Sequence, residues 1–139
     1  MHGRESLGLL PFVVTETTEG VRIDVESFYL AEQSDPVADR YVFAYHIRIT
    51  NESEASVQLM RRHWIIEERA DAVREVEGDG VVGKQPVMEP GESHEYTSGA
   101  VLEVPTGRMH GTYEMHRADG TVFRASIPQF KLEMPRTLH

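Results

Sequence analysis

Three glycines, Gly78, Gly80 and Gly83, lie in the run GDGVVG. This Gly-x-Gly-x-x-Gly spacing lets backbone N–H groups come close to a phosphate. Arg61 and Arg62 lie upstream, and Lys84 follows the loop directly. Arginine is well suited to carboxylate or phosphate recognition. Lys84 joins the two arginines if the loop folds back over their strand. Gly78, Gly80, Gly83, Lys84, Arg61 and Arg62 are therefore a candidate anion site, for phosphate or pyrophosphate. The competing reading is structural. The glycines then serve positive-φ turns, and the arginines are solvated beside a core tryptophan, Trp64.

The glycine loop does not read as a dinucleotide site. That site needs a helix after the loop, because the helix N-terminus holds the pyrophosphate. Here Pro86, Pro90 and Gly91 follow at once. A kinase-like glycine hairpin is equally unsupported, since no V-A-I-K, H-R-D or D-F-G run accompanies it.

Metal and nucleophile chemistry find little support. The chain has seven histidines, none in an H-x-H or H-x-x-x-H pair. His110 and His116 would stand roughly 20 Å apart along a strand. Asp35, Asp39, Glu75, Glu77 and Asp79 are read as solvated loop charge, because no EF-hand pattern organises them. Thr97, Ser93 and Ser98 lie near His94, but no G-x-S-x-G elbow exists. No set of nucleophile, base and oxyanion donors can be assembled, so the expectation is a non-enzymatic protein with no metal site and no cofactor.

The elements that carry these residues read as strands. Phe12–Thr18 and Val21–Leu30 alternate apolar and polar residues around Gly20. Tyr41, Phe43, Tyr45, Ile47 and Ile49 give the cleanest alternation and predict a central strand. In Val57–Glu67 the alternation slips near Met60–Arg62, where a β-bulge would change the face. Val73–Glu77 predicts a short strand, and Ile66–Val76 is the best helical candidate at about two turns. His94–Glu103 reads as a strand interrupted at Ser98-Gly99. Met109, Tyr113 and Met115 share a face, Ala118-Asp119-Gly120 is a hairpin turn, and Pro128 should break the last run. About eight short strands predict an all-β fold, an immunoglobulin-like or fibronectin type III-like antiparallel β-sandwich.

At 139 residues the chain suits one domain over 12–139, after a flexible leader at 1–11. It has no cysteine, which excludes disulfides and thiolate sites. No apolar run is long enough to span a membrane, and no signal peptide is read, so cytoplasm is the expected location. The net charge of −9 argues against nonspecific nucleic-acid binding.

Several segments together resemble the ApaG family. They are VESFYL (Val25–Leu30), EQSDP (Glu32–Pro36), RYVFAYHIRITN (Arg40–Asn51), VQLMRRHWII (Val57–Ile66), EVEGDGVVGKQP (Glu75–Pro86), PGESHEYTSGAVL (Pro90–Leu102), GTYEMH (Gly111–His116) and PRTLH (Pro135–His139). The resemblance runs from about Val21 onward, and its glycine loop falls on Gly78, Gly80 and Gly83. It implies a fibronectin type III-like sandwich. Bacterial members are named for an association with cobalt resistance and magnesium efflux. The domain is also similar to one appended to some eukaryotic F-box and other adaptor proteins. The expectation that follows is a protein-interaction module with an unknown protein partner. A small-anion binding protein is the alternative.

Overall fold

A computed structural model describes residues 13–69 and 71–135. The strands are β1 (Val14–Thr18), β2 (Val21–Tyr29), β3 (Tyr41–Asn51), β4 (Val57–Arg69), β5 (Ala72–Asp79), β6 (Val87–Met88), β7 (Ser93–Leu102), β8 (Thr106–Arg117) and β9 (Val122–Glu133). Short 3-10 turns at Ala31–Gln33 and Pro36–Ala38 fill the β2–β3 connection. One sheet runs β1-β2-β3-β7. The other runs β5-β4-β8-β9, with β6 also paired to β4. Every pairing is antiparallel. The two sheets face each other as the expected sandwich.

The alternation explains the layering. Val21, Ile23 and Val25 of β2 are fully buried, as are Ile47 and Ile49 of β3. Their register, Ile23 opposite Ile49 and Val25 opposite Ile47, stacks them on one face. In β4 the buried residues are Val57 and Leu59, then Trp64 and Ile66. The parity changes because the register shifts between Leu59 and Arg61. This is the bulge expected from the sequence, and Met60 is its extra residue.

Trp64 sits where the sheets meet. Its ring lies 5.3 Å from Tyr45 of β3, 5.9 Å from Phe130 of β9 and 6.3 Å from Tyr113 of β8. Asn51 is fully buried and fully satisfied. Its Nδ2 donates to the carbonyls of Ala55 at 2.8 Å and Met88 at 2.9 Å, while its Oδ1 accepts from the Ser53 N–H at 2.9 Å. This pins the β3–β4 connection to β6.

Five local expectations need correction. The described residues of Ile66–Val76 contain no helix. They are the end of β4 and the start of β5, with β5 longer than Val73–Glu77. Strand β7 is not interrupted at Ser98-Gly99, because both residues keep partners on β3, Tyr45 and Ala44. Strand β9 passes through Pro128. Between the pairs Met109–Phe130 and Gly111–Ile127, two β9 residues oppose His110 alone, so Pro128 sits in a bulge where its missing N–H is tolerated. Strand β2 stops at Tyr29, one residue short of the Leu30 end read from the sequence. The leader at 1–11, Phe12 and most of the closing PRTLH lie outside the described residues.

The two lateral openings of the sandwich differ. On the β9 side, the Ser126 N–H donates to Thr18 Oγ1 at 3.1 Å and Ser27 Oγ donates to the Lys131 carbonyl at 2.8 Å, tying β1 and β2 to β9. On the other side β5 and β7 are both edge strands. There Arg74 Nη2 reaches the Val101 carbonyl at 3.0 Å, and Glu68 accepts the Glu103 N–H at 3.2 Å.

Candidate functional site

The bulge in β4 builds the glycine loop. It leaves the Met60 carbonyl free to accept the Gly80 N–H at 2.9 Å and Gln85 Nε2 at 3.0 Å. Val81 and Lys84 then exchange both backbone bonds, at 2.8 and 3.0 Å. Between them Val82 (φ 47°) and Gly83 (φ 76°) have positive φ, the signature of a two-residue type I′ turn. Valine is poorly suited to that position, because β-branching crowds the left-handed region. Val82 is also well exposed. We expect Val82→Asn to raise stability by about 1 kcal/mol, since Asn-Gly is the favoured pair there. A urea titration in which Val82→Asn is no more stable than the parent would refute that reading of the turn.

The six candidate anion-site residues are near one another in sequence register, but most of their polar groups are already engaged. Arg61 Nη1 donates to Asp79 Oδ1 at 2.6 Å, and Glu77 lies 3.9 Å from its Nη2. The parity change at Met60 turns Arg62 towards the inner side. Its Nη1 donates to the carbonyls of Asp79 at 2.9 Å and Gly80 at 3.0 Å. Gly78 has room for this guanidinium only because it lacks a side chain; a Cβ there would sit 2.8 Å from the Arg62 nitrogens. The Gly80 N–H is taken by Met60 of β4, and those of Val81 and Lys84 by each other's carbonyls. Lys84 is exposed, and Gly83 faces open space. An incoming anion would have to displace the Asp79 carboxylate from Arg61, against its own like charge.

The outer faces of both sheets carry His–Glu hydrogen bonds, three across strands and one, His116 to Glu114, along β8. His63 Nε2 meets Glu75 at 2.8 Å, His110 Nε2 meets Glu67 at 2.9 Å, His116 Nε2 meets Glu114 at 2.7 Å and His46 Nε2 meets Glu95 at 2.8 Å. Glu67 also accepts from Arg108 Nε at 2.8 Å. The hydrogen bond from His110, then that from Arg108, holds the Glu67 carboxyl below the usual carboxylate range. A carboxyl lowered on folding contributes stability above its unfolded value, near 4.5, and loses it as pH falls through the folded one. Glu67→Gln is therefore expected to flatten the fall of stability with pH below about 4.5. An NMR titration that gives Glu67 an ordinary midpoint would contradict this.

Register also assembles groups that are far apart in sequence. His63, Glu75 and Glu77 offer three ligand atoms within 4.8 Å of one another. Spacing along the chain does not reveal them, because His63 and Glu77 are cross-strand partners. All three side chains are open to solvent, and His63 is held by Glu75. His46 Nδ1 lies 2.9 Å from Thr97 Oγ1, which makes a Thr97–His46–Glu95 chain. That chain lies flat on the sheet. His46 and Thr97 are direct partners in the β3–β7 register. An open groove of about 370 Å³ runs past His63, His110, Thr112, Ser126 and Glu16. Both of its imidazoles are bonded to glutamates, not to the hydroxyls.

Comparison with known proteins agrees with the fold. The ApaG domain family matches residues 31–117. A Protein ApaG from Thiobacillus denitrificans is 56% identical over 119 residues, covering 86% of this chain and 94% of its own. One from Aromatoleum aromaticum is 51% identical over 124 residues, covering 88% and 98%. A solved structure of an ApaA protein from Bordetella pertussis has a TM-score of 0.80 at 46% identity, covering 88% of this chain and 97% of its own. Its sequence segments, its sandwich and these relatives agree: the chain belongs to the ApaG family.

Proposed function

We propose that the protein is a non-enzymatic interaction module that works in the cytoplasm by binding another protein. One observation carries this reading. The sandwich is closed along β9 but leaves β5 as an edge strand with Val73 and Val76 exposed. An unpaired edge is a template for another chain. The imidazoles of the His63–His110 groove are bonded to glutamates and not to its hydroxyls, which speaks against catalysis there. The net charge of −9 disfavours nucleic acid, and no helix among the described residues is long and apolar enough to cross a membrane. Affinity capture from the native cytosol, read by mass spectrometry, should retain one stoichiometric protein. Recovery of none would sink the proposal.

A connection to cobalt or magnesium resistance and efflux then runs through the partner. The exposed His63–Glu75–Glu77 group would bind these ions weakly, since Mg²⁺ dehydrates reluctantly and water competes for every ligand. Calorimetry should find no dissociation constant below about 1 µM for Co²⁺ or Mg²⁺, which corresponds to roughly 8 kcal/mol. A tighter value would overturn this reading.

The second reading is a small-anion site for phosphate or pyrophosphate at the glycine loop. Lys84 at the exposed, open Val82-Gly83 turn favours it. The engagement of Arg61 and Arg62 weighs against it. Pyrophosphate titrated to millimolar levels should shift the amides of 78–84, and Arg61→Ala, Arg62→Ala and Lys84→Ala should weaken that response. With no shifted amide, the glycines are turn-formers alone.

A further inference from the structure

We propose that the open edge of β5 accepts an extended basic segment of a partner protein as an added antiparallel strand. This rests on the interaction-module reading and names its surface. The Gly80 N–H points to Met60 of β4. Alternation then turns the amides of Gly78, Val76 and Arg74 to β4, and those of Val73, Glu75, Glu77 and Asp79 to the free edge. The same four residues share the outer face, opposite Glu67, Ile65, His63 and Arg61 of β4.

The chemistry of that face selects the occupant. Glu75, Glu77 and Asp79 have side chains 61%, 59% and 72% exposed. They recur at every second residue, about 7 Å apart, which is the spacing of one face of a facing strand. Arg61 and His63 are the basic groups that meet them. A second copy of β5 is a poor occupant. A two-fold axis through Glu75 sets Glu75 against itself, and one through Val76 sets Glu75 against Glu77. Like charges directly opposite each other destabilise a sheet. A strand with Lys or Arg at alternate positions meets the three carboxylates, and an apolar residue near its end covers Val73. The other edge on this side, β7, is less available, because Arg74 already occupies its Val101 carbonyl.

The test uses two blocked octapeptides, one alternating valine with lysine and one alternating valine with glutamate, added to the full chain under amide NMR. The lysine peptide should shift the amides of Val73, Glu75, Glu77 and Asp79, slow their hydrogen exchange, and half-saturate at about 1 mM or below. The glutamate peptide should do neither. Glu75→Lys with Glu77→Lys should reverse the preference. Val73→Pro should weaken binding several-fold while keeping the charge, since it removes one outward N–H and none that β4 uses. Unchanged β3 and β8 amides show that each variant is folded. Equal binding of both peptides, shifts centred on another strand, no shift at about 5 mM, or β5 shifts that follow protein concentration alone would each overturn the proposal. The two readings fail separately. A captured partner that is still retained by both variants leaves the module standing and removes β5 as its surface; capture of no partner removes both.

Discussion

Trp64→Ala is expected to lower the unfolding free energy by about 3–5 kcal/mol, the range for truncating a buried aromatic. Trp64 is only 3% exposed. It comes from one sheet and packs against Tyr45 of the other, while it makes T-shaped contacts with Phe130 and Tyr113 of its own. Truncation leaves a cavity between the two layers. Neither sheet can close it alone, because each is held by its own ladder. Aromatic pairs contribute about 0.5–1.5 kcal/mol beyond the area they bury, and three are lost at once. The neighbour supplies the control. Ile65 lies on the outer face beside Glu75 and His110, so Ile65→Ala should cost well under half as much. Guanidinium titrations of both variants measure the difference. Equal losses would mean that the indole does not join the layers. Trp64→Phe should recover most of the stability, because the ring contacts matter more than the indole N–H.

Much of this was legible along the chain because alternation has a local cause. A strand with one wet face must place polar residues at every second position, as β2 does over Val21–Glu26 and β3 over Tyr45–Thr50. Even the bulge was legible, as a slip of that alternation at Met60. What escaped is what register decides. Ser98-Gly99 looked like an interruption, yet Tyr45 and Ala44 hold it in the ladder. Pro128 looked like a stop, yet a bulge opposite His110 absorbs it. The paired histidines could not be seen, since Glu67 reaches His110 and Glu75 reaches His63 only across strands. The acidic strip on β5 reads as loop charge along the chain, because only the pairing with β4 sets Glu75, Glu77 and Asp79 on one face of an edge strand.

Gly80→Ala should cost about 2–5 kcal/mol, while Gly83→Ala should cost only about 1–2 kcal/mol, although both glycines have positive φ. Gly80 has φ 62° and Gly83 has φ 76°, so each substitution carries the left-handed penalty of an L residue. Only Gly80 is also crowded. A Cβ there would lie 2.2 Å from the Lys84 carbonyl oxygen, and no backbone atom can stay at that distance. At Gly83 nothing lies within 4 Å. Relieving the clash at Gly80 must open the Val81–Lys84 pair or pull Gly80 from Met60, and either displaces the carbonyls that Arg62 holds. Urea midpoints for the two variants give the difference, and hydrogen exchange of the Gly80 amide locates it. If the two cost the same, the close approach to Lys84 is not maintained in solution. The distinction also decides how ligand binding at this loop can be tested. A loss of anion or partner binding in Gly80→Ala would report a broken loop. Gly83→Ala and Lys84→Ala leave the Met60–Gly80 and Arg62–Gly80 bonds in place, so a loss of binding there would report the contact itself.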